Sequence, residues 1–463
     1  MEKVKKKKYE IDMCNGSIFK KLLLFSIPLM CSGMLQLLFN AADIVVVGNF
    51  AGDNSLSAVG ATSSLINLLT NVFIGLSVGA NVLAARFAGS GSKDEIHKTV
   101  HTSIAVALIS GLFLTVVGLV GAPIILRKME TPEGILPLAV LYLRIYFLGM
   151  PANMVYNFGS ALLRAVGDTK RPLYYLTFAG IVNVVFNLIF VIVFKMDVAG
   201  VAVATVISQC ISAVLVVRCL MKEEGSIRLD LKSVRIHGKT FLKLLQVGLP
   251  AGVQGTLFSL SNVFIQSSVN LFGDITVGGN SIASNLEGFV YVAMHSVYQG
   301  TISFVSQNVG AGKFERVNKI VWTSQALVFM VGTGLGNLVF LLGRPLLGLY
   351  TDTPEVIEAG MTRLTFICTI YALCGMMDVM VGAMRGIGYS VLPMIVSLLG
   401  ACAFRLVWLA TVFQIENLHI IETVYISYPV SWTLTLLAHI VCFVIVRKKV
   451  GKEWAKLAEK TPA

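Results

Sequence analysis

The chain has 463 residues, of which 56% are hydrophobic and only 13% charged, with a net charge of +12. A soluble domain carries about 25% charged residues, so this composition excludes an ordinary soluble globular protein. The basic balance could suit nucleic acid, but no basic module interleaved with aromatic side chains accompanies it, and nucleic-acid binding is set aside.

Apolar stretches of roughly 20 residues are long enough to cross a bilayer at 1.5 Å per residue. About twelve are read, at 22–49, 58–86, 100–126, 136–162, 172–194, 198–220, 241–271, 281–308, 320–348, 360–384, 391–414 and 423–446. Ahead of the first stands the run Lys5-Lys6-Lys7-Lys8, which suits anionic headgroups. That first stretch is too long for a cleaved signal peptide, contains Pro28, Gln36, Asn40 and Asp43, and is followed by no small-residue cleavage site.

In the first stretch Gln36, Asn40 and Asp43 stand at i, i+4 and i+7, so they share one helix face. An ionisable group inside a span is costly, about 2.5 to 3.5 kcal/mol on insertion scales, and marks a functional candidate. Asp43 is therefore read as the carboxylate that binds a coupling cation or proton, with Gln36 and Asn40 beside it. Asn67 and Asn71 line one face of the second stretch, Asn153 and Asn157 of the fourth, and Asn183 and Asn187 of the fifth. Such amides either line a wet cleft or bridge neighbouring helices.

Arg144, near the end of the fourth stretch, can snorkel to the interface. The loop Gly89-Ser90-Gly91-Ser92-Lys93 lacks the spacing that cradles a phosphate. Without an ATP site, uphill transport would have to draw on an ion gradient. Residues 221–240 are polar and basic and form the one long connection, read as a cytoplasmic linker between an N-terminal lobe (1–220) and a C-terminal lobe (241–446).

The seventh stretch carries Gln254, Ser259, Asn262 and Gln266. The eighth carries Glu287 and a lone His295, read as a core histidine. The tenth carries Asp378, with Met376, Met377 and Met380 around it, and the eleventh Arg405. From Arg447 a basic tail (447–463) follows. Cys14, Cys31, Cys210, Cys219, Cys368, Cys374, Cys402 and Cys442 show no ligand-like spacing and are read as small apolar residues. Asp378, Glu287, Gln254, Asn157, Asn262 and Asn67 form the expected substrate cleft, with Met376, Met377, Met380, Phe289, Tyr291 and Tyr298 packing or lining it.

The chain repeats itself at an offset a little under half its length. Phe19-Lys20-Lys21-Leu22-Leu23 running to Pro28 is echoed by Phe241-Leu242-Lys243-Leu244-Leu245 running to Pro250. Leu163-Arg164-Ala165-Val166-Gly167 is echoed by Met384-Arg385-Gly386-Ile387-Gly388, and Gly89-Ser90-Gly91 by Gly310-Ala311-Gly312. The last two echoes share one offset, and the first differs from it by a single position. On this register Asp378 falls opposite the neutral Asn157. Six spans per half is an even number, so the halves enter the membrane in the same orientation, related by an axis along its normal.

With the N-terminus inside, 30 of the 37 lysines and arginines fall on the cytoplasmic side and five, Arg127, Lys128, Lys195, Arg344 and Arg363, on the other. This positive-inside bias places both termini in the cytoplasm. The fold class is an all-α polytopic membrane protein of two six-helix lobes.

These residues resemble the MATE (multidrug and toxic compound extrusion) transporters, bacterial type. The resemblance rests on Phe39 through Gly48 with Asp43, on Gly79 through Gly89, on Leu163 through Pro172, on Val198 through Gln209, and on Gln299-Gly300 and Gln307 through Gly312. It covers almost the whole chain. It implies a V-shaped pair of lobes and export of organic cations, drugs or other amphipathic compounds in exchange for Na⁺ or H⁺, by a non-enzymatic monomer in the inner (plasma) membrane. No cofactor beyond the coupling ion is implied, and the partners are small amphipathic or cationic molecules and membrane lipid.

Carried over residue by residue, Asp43 matches the family's first-helix coupling carboxylate, and it is a metal ligand only if Na⁺ is the ion. Asp378 matches a tenth-helix carboxylate of one branch. Asn187, with Asn183 one turn before it, stands where another branch has an aspartate, and Gln254 where one branch has a glutamate. The rival readings are a lipid-linked precursor flippase of the same superfamily, which needs a cation-lined cleft, and a membrane-embedded enzyme, which needs a catalytic cluster.

Overall fold

The computed structural model describes residues 9–225 and 227–460; the run Lys5 to Lys8 lies outside them. Every regular element among the described residues is helical. The first half contains α1 (Ile18–Phe50), α2 (Asp53–Ser90), α3 (Lys93–Lys128), α4 (Leu136–Leu148), α5 (Met150–Ala165), α6 (Lys170–Leu188) and α7 (Asp197–Met221). The second contains α8 (Gly238–Asn270), α9 (Gly273–Gly310), α10 (Phe314–Leu341), the short α11 (Gly343–Gly348), α12 (Pro354–Ile367), α13 (Ala372–Ile387), α14 (Val391–Ser397), α15 (Phe404–Ala410) and α16 (Ile421–Lys460).

Eight spans pass a test of length and apolar composition, with α14 and α15 counted as one through the π-helical segment Leu398–Ala403 between them. The pairs α4/α5 and α12/α13 pass as two more, each bent by 47°. The remaining helices, α8 and α9, have 33 and 38 residues, matching the 33 and 38 of α1 and α2. They fall short on composition because their faces carry amides, hydroxyls and Glu287. Counting them gives the twelve spans read from the sequence. The break between α4 and α5 falls at Gly149, and Pro151 sits in the first turn of α5, where its missing N–H costs nothing.

The repeat extends to backbone conformation. Gly52, Gly91 and Gly167 have φ of 86°, 69° and 90°. Their counterparts at the repeat offset, Gly273, Gly312 and Gly388, have 82°, 70° and 114°. These left-handed turns follow the same helix ends in both halves, and only glycine adopts them without strain.

The chain forms two compact units. One is residues 9–12 with Cys31–Thr256, and the other is Met13–Met30 with the described residues from Leu257 onward. The division does not follow 1–220 and 241–446, because the first turns of α1 and α8 are exchanged. The exchange points follow Pro28 and Pro250, each inside its helix, where a lost backbone hydrogen bond lets the helix bend.

Lipid tails are as apolar as leucine, so membrane helices associate through close packing and polar bonds. In the first unit, α8 lies on α2 so closely that a Cβ on Gly75 would fall 2.2 Å from Gly252 Cα, and one on Gly79 2.4 Å from the Leu244 carbonyl oxygen. In the second unit the repeat partner of Gly79, Gly300, receives α1 at Leu22, Phe25 and Ser26. Phe25 meets Phe304 edge-on at 5.6 Å, and Asn308 Nδ2 donates to the Met13 carbonyl at 3.0 Å.

The linker between α7 and α8 is pinned to α3. His101 Nδ1 bonds the His97 carbonyl at 2.7 Å, and its Nε2 accepts the Asp230 N–H at 3.0 Å. A carbonyl only accepts and an amide N–H only donates, so the two ring nitrogens of His101 tie α3 to the linker in opposite roles. His237 accepts from Arg235 Nε at 3.1 Å and bonds Thr102 at 3.2 Å. Partial burial, with Arg235 and Lys98 nearby, holds the His237 imidazole below its ordinary range.

Candidate functional site

Three of the sequence candidates, Asp43, Asn183 and Asn187, gather into one cluster in the first unit, while Glu287 and Asp378 sit in groups of their own in the second. In the first unit α1 brings Asp43 against α6, where Asn187 Nδ2 donates to the Asp43 carboxylate. Asn187 Nδ2 also reaches Asn183 Oδ1 at 3.4 Å, and Asn183 Nδ2 reaches Thr205 Oγ1 of α7 at 3.4 Å. The i, i+4 spacing of Asn183 and Asn187 aims both amides at one point, and both are buried. Tyr142 and Tyr146 of α4, stacked with centroids 5.9 Å apart, lie within electrostatic reach of Asp43.

Among the described residues no ion pair reaches Asp43; the groups around it are amides and hydroxyls. Asn187 Oδ1 is buried and has no hydrogen-bond partner, so an acceptor oxygen stands ready beside the carboxylate. One carboxylate with neutral oxygens suits a proton or a monovalent cation better than a divalent one, which is held by several carboxylates. Gln36 and Asn40, on the same face of α1, are exposed and stand outside the Asp43 cluster.

Thr205, Tyr142 and Tyr146 were not singled out in the sequence. Thr205 lies in the stretch Val198 to Gln209 that carries the family resemblance, and Tyr142 and Tyr146 are an i, i+4 pair. Threonines and tyrosines are common in apolar helices, so neither signal separates them from packing residues.

The other first-unit candidates are placed apart from this cluster. Asn157 Nδ2 donates at 2.9 Å to both the carbonyl and the side-chain oxygen of Asn153. Gln254 is buried and Asn67 exposed. Arg144 is exposed, and its Nε donates to the Leu119 carbonyl at 3.1 Å.

The second unit answers with charge pairs. Glu287 of α9 accepts from Arg363 Nε and Nη2, both at 2.8 Å, and the two residues are only 5% and 8% exposed. Arg363 Nη1 donates to Asn280 Oδ1 at 2.7 Å, Tyr425 donates to the same oxygen at 3.2 Å, and Asn280 Nδ2 donates to Gln266 at 2.9 Å. The guanidinium also lies 5.7 Å from the rings of Tyr425 and Tyr428. Arg363, counted from the sequence among the loop charges of the outer side, is thus a correction: α12 begins at Pro354 and carries it into the packed interior. The pair is neutral as a whole, and Glu287 presents no open carboxylate. Asn262 is exposed.

Asp378, on α13, lies within electrostatic reach of the Tyr291 hydroxyl and of Arg385. Arg385 Nη1 donates to the Tyr298 hydroxyl at 2.5 Å. His295 sits between the two tyrosine rings, at 5.5 Å from Tyr291 and 4.8 Å from Tyr298. Arg405 is buried, donates from Nε to Ser431 Oγ at 2.8 Å, and stacks 4.1 Å from the Tyr428 ring.

A helical repeat of six spans per half with buried acids in both units defines a polytopic membrane protein of the internally duplicated type. The MatE family model matches residues 28–189 and 250–409, two stretches that together cover well over half the chain and reproduce the repeat. The chain belongs to the MatE family. It is 28% identical over 397 residues to the probable multidrug resistance protein YpnP of Bacillus subtilis (strain 168), covering 85% of this chain and 88% of that one. It is 25% identical over 397 residues to the probable multidrug resistance protein NorM of Thermotoga maritima, covering 84% of each. It also resembles a solved outward-facing multidrug resistance MATE family transporter of the MOP superfamily, with a TM-score of 0.89 and 20% identity over 95% of this chain and 98% of that chain. At that identity the likeness concerns the fold.

Proposed function

We propose that this protein is a secondary active antiporter that exports organic cations, drugs or other amphipathic compounds in exchange for Na⁺ or H⁺. In this reading it lies in the inner (plasma) membrane with both termini cytoplasmic, as the distribution of lysine and arginine favours, 30 on one side against Arg127, Lys128, Lys195 and Arg344 on the other once Arg363 is removed from that count. The observation that carries the proposal is Asp43, an acid inside an apolar helix that is bonded by Asn187 and, among the described residues, is met by no cation.

The chemistry follows from that environment. Inside the membrane a lone carboxylate is costly to keep charged, so it favours a bound proton or a bound cation over neither. Asn187 holds the carboxylate in place through Nδ2, and its buried Oδ1, without a hydrogen-bond partner, is a further acceptor on the same residue. Release of the ion leaves Asp43 charged and raises the cost of that conformation. Binding and release thereby bias one conformation over another, which is how an ion gradient drives an uphill export step.

The names of the relatives support a multidrug substrate class for this chain. The flippase reading is weaker, because each buried arginine already engages part of its guanidinium with a partner within the protein. Arg363 is neutralised by Glu287, Arg405 is bonded to Ser431 and stacked on Tyr428, and Arg385 is bonded to Tyr298.

The test is efflux of a fluorescent cation from cells lacking their own pumps, with the Na⁺ and pH gradients collapsed separately. Efflux should stop when one of the two is removed. Efflux that survives loss of both would end the antiporter reading.

A further inference from the structure

We propose that the second unit carries a binding slot for an anionic membrane phospholipid, formed by α10, α13 and α16. The slot encloses about 300 Å³. Its interior is mostly apolar: Met380, Leu436 and Phe443 line it and are only 4%, 7% and 8% exposed, and the buried amide among them, Gln325, donates to the Met376 carbonyl. Its mouth is cationic, with Arg447 and Lys448 at one end. An apolar body and a positive rim match an acyl chain and an anionic headgroup, and each lysine or arginine near a surface favours anionic lipid.

The placement is that of a lipid rather than of a soluble anion. Along α16 the lining runs from Leu436 to Lys448, twelve residues or about 18 Å at the helical rise. Half of the hydrocarbon core is about 15 Å, so the slot is about one leaflet deep. Trp322 lines the same mouth and is 67% exposed, a position that tryptophan favours at the membrane–water interface.

The cation at the mouth is fixed and not merely floating nearby. Arg447 Nε donates to Asn318 Oδ1 at 3.0 Å and Nη2 to the Phe314 carbonyl at 2.9 Å, tying α16 to the start of α10. Lys448 is exposed beside it. A headgroup phosphate here would touch the side chains that hold two helices together, so occupancy would brace this end of the unit.

The test uses the full chain with Trp322 as its single tryptophan, Trp408, Trp432 and Trp454 being replaced by Phe. It is reconstituted into phosphatidylcholine vesicles that carry either dibrominated phosphatidylglycerol or dibrominated phosphatidylcholine, and bromine quenching of Trp322 reports occupancy. The phosphatidylglycerol should bind with a preference of about fivefold or more over phosphatidylcholine. The double variant Arg447→Gln with Lys448→Gln should bring the two lipids to parity. Lys448→Gln alone, exposed and therefore safe for folding, should at least halve the preference.

Excess inorganic phosphate should leave the quenching unchanged, since a free anion lacks the chain that fills the slot. Equal binding of the two lipids by the unaltered cations, a preference that survives Lys448→Gln and the double variant, or displacement by inorganic phosphate would each overturn the proposal.

Discussion

Asp43 in the first unit and Glu287 in the second are both acids inside apolar helices, yet their surroundings differ in charge. Glu287 meets Arg363 in a two-pronged pair, with Asn280 taking the third guanidinium nitrogen. Asp43 meets Asn187 and has no cationic partner among the described residues. Asp378 is intermediate, with the Tyr291 hydroxyl and Arg385 in electrostatic reach. The comparison teaches that an acid inside the membrane is not by itself a coupling site. What decides is whether the protein already supplies the opposite charge. A resident arginine makes the acid part of the framework, whereas the acid met by neutral donors is the one we propose as the coupling carboxylate.

The largest effect that sharpens this contrast is structural. Glu287→Gln strands Arg363 as a buried unpaired cation, and breaking a buried pair from one side costs about 3 to 5 kcal/mol. The variant should therefore show a markedly lower thermal midpoint or little folded protein. Glu287→Gln combined with Arg363→Met should recover much of that loss, because the stranded charge is gone. A Glu287→Gln variant as stable as the parent would erase the contrast.

A smaller effect is expected at Asp378. Its neutralisation by Asp378→Asn should weaken the affinity for cationic dyes severalfold more than for neutral compounds, with Arg385 already offsetting part of the charge. Dye titrations of purified protein separate the outcomes. Equal losses for both classes would assign Asp378 to ion coupling or to framework, and no loss would remove it from transport altogether.

The fold was largely legible because a membrane span announces itself by length and apolar content, and because the motifs of one half recur in the other at a nearly constant offset. The structure places the positive-φ glycines Gly52, Gly91 and Gly167 on the same register as Gly273, Gly312 and Gly388. The exchange of the first turns of α1 and α8 was not legible. Pro28 and Pro250 mark where each helix can bend, but which neighbour it then packs on depends on Gly79 and Gly300 admitting a backbone or side chain at close range.

The candidate site was legible one helix at a time. Asp43 stood out as a charge in an apolar run, and Asn183 and Asn187 as a spaced amide pair. That α1 and α6 bring them together is a tertiary fact. Thr205, Tyr142 and Tyr146 gave no signal that distinguishes a lining hydroxyl from a packing residue. Glu287 looked like an open acid because Arg363, distant in the chain, sat near a span edge and was counted with the loops.

The most direct measurement is export of a cationic dye by Asp43→Asn in proteoliposomes, driven in turn by a Na⁺ gradient and by a pH gradient, alongside the thermal midpoint of the same preparation. Asn keeps the size and removes the charge without stranding any partner cation. The account predicts a midpoint close to that of the parent and no export under either gradient, where the parent is driven by one of them. Export at the parental rate in a folded Asp43→Asn protein would contradict it and move the coupling ion elsewhere in the molecule.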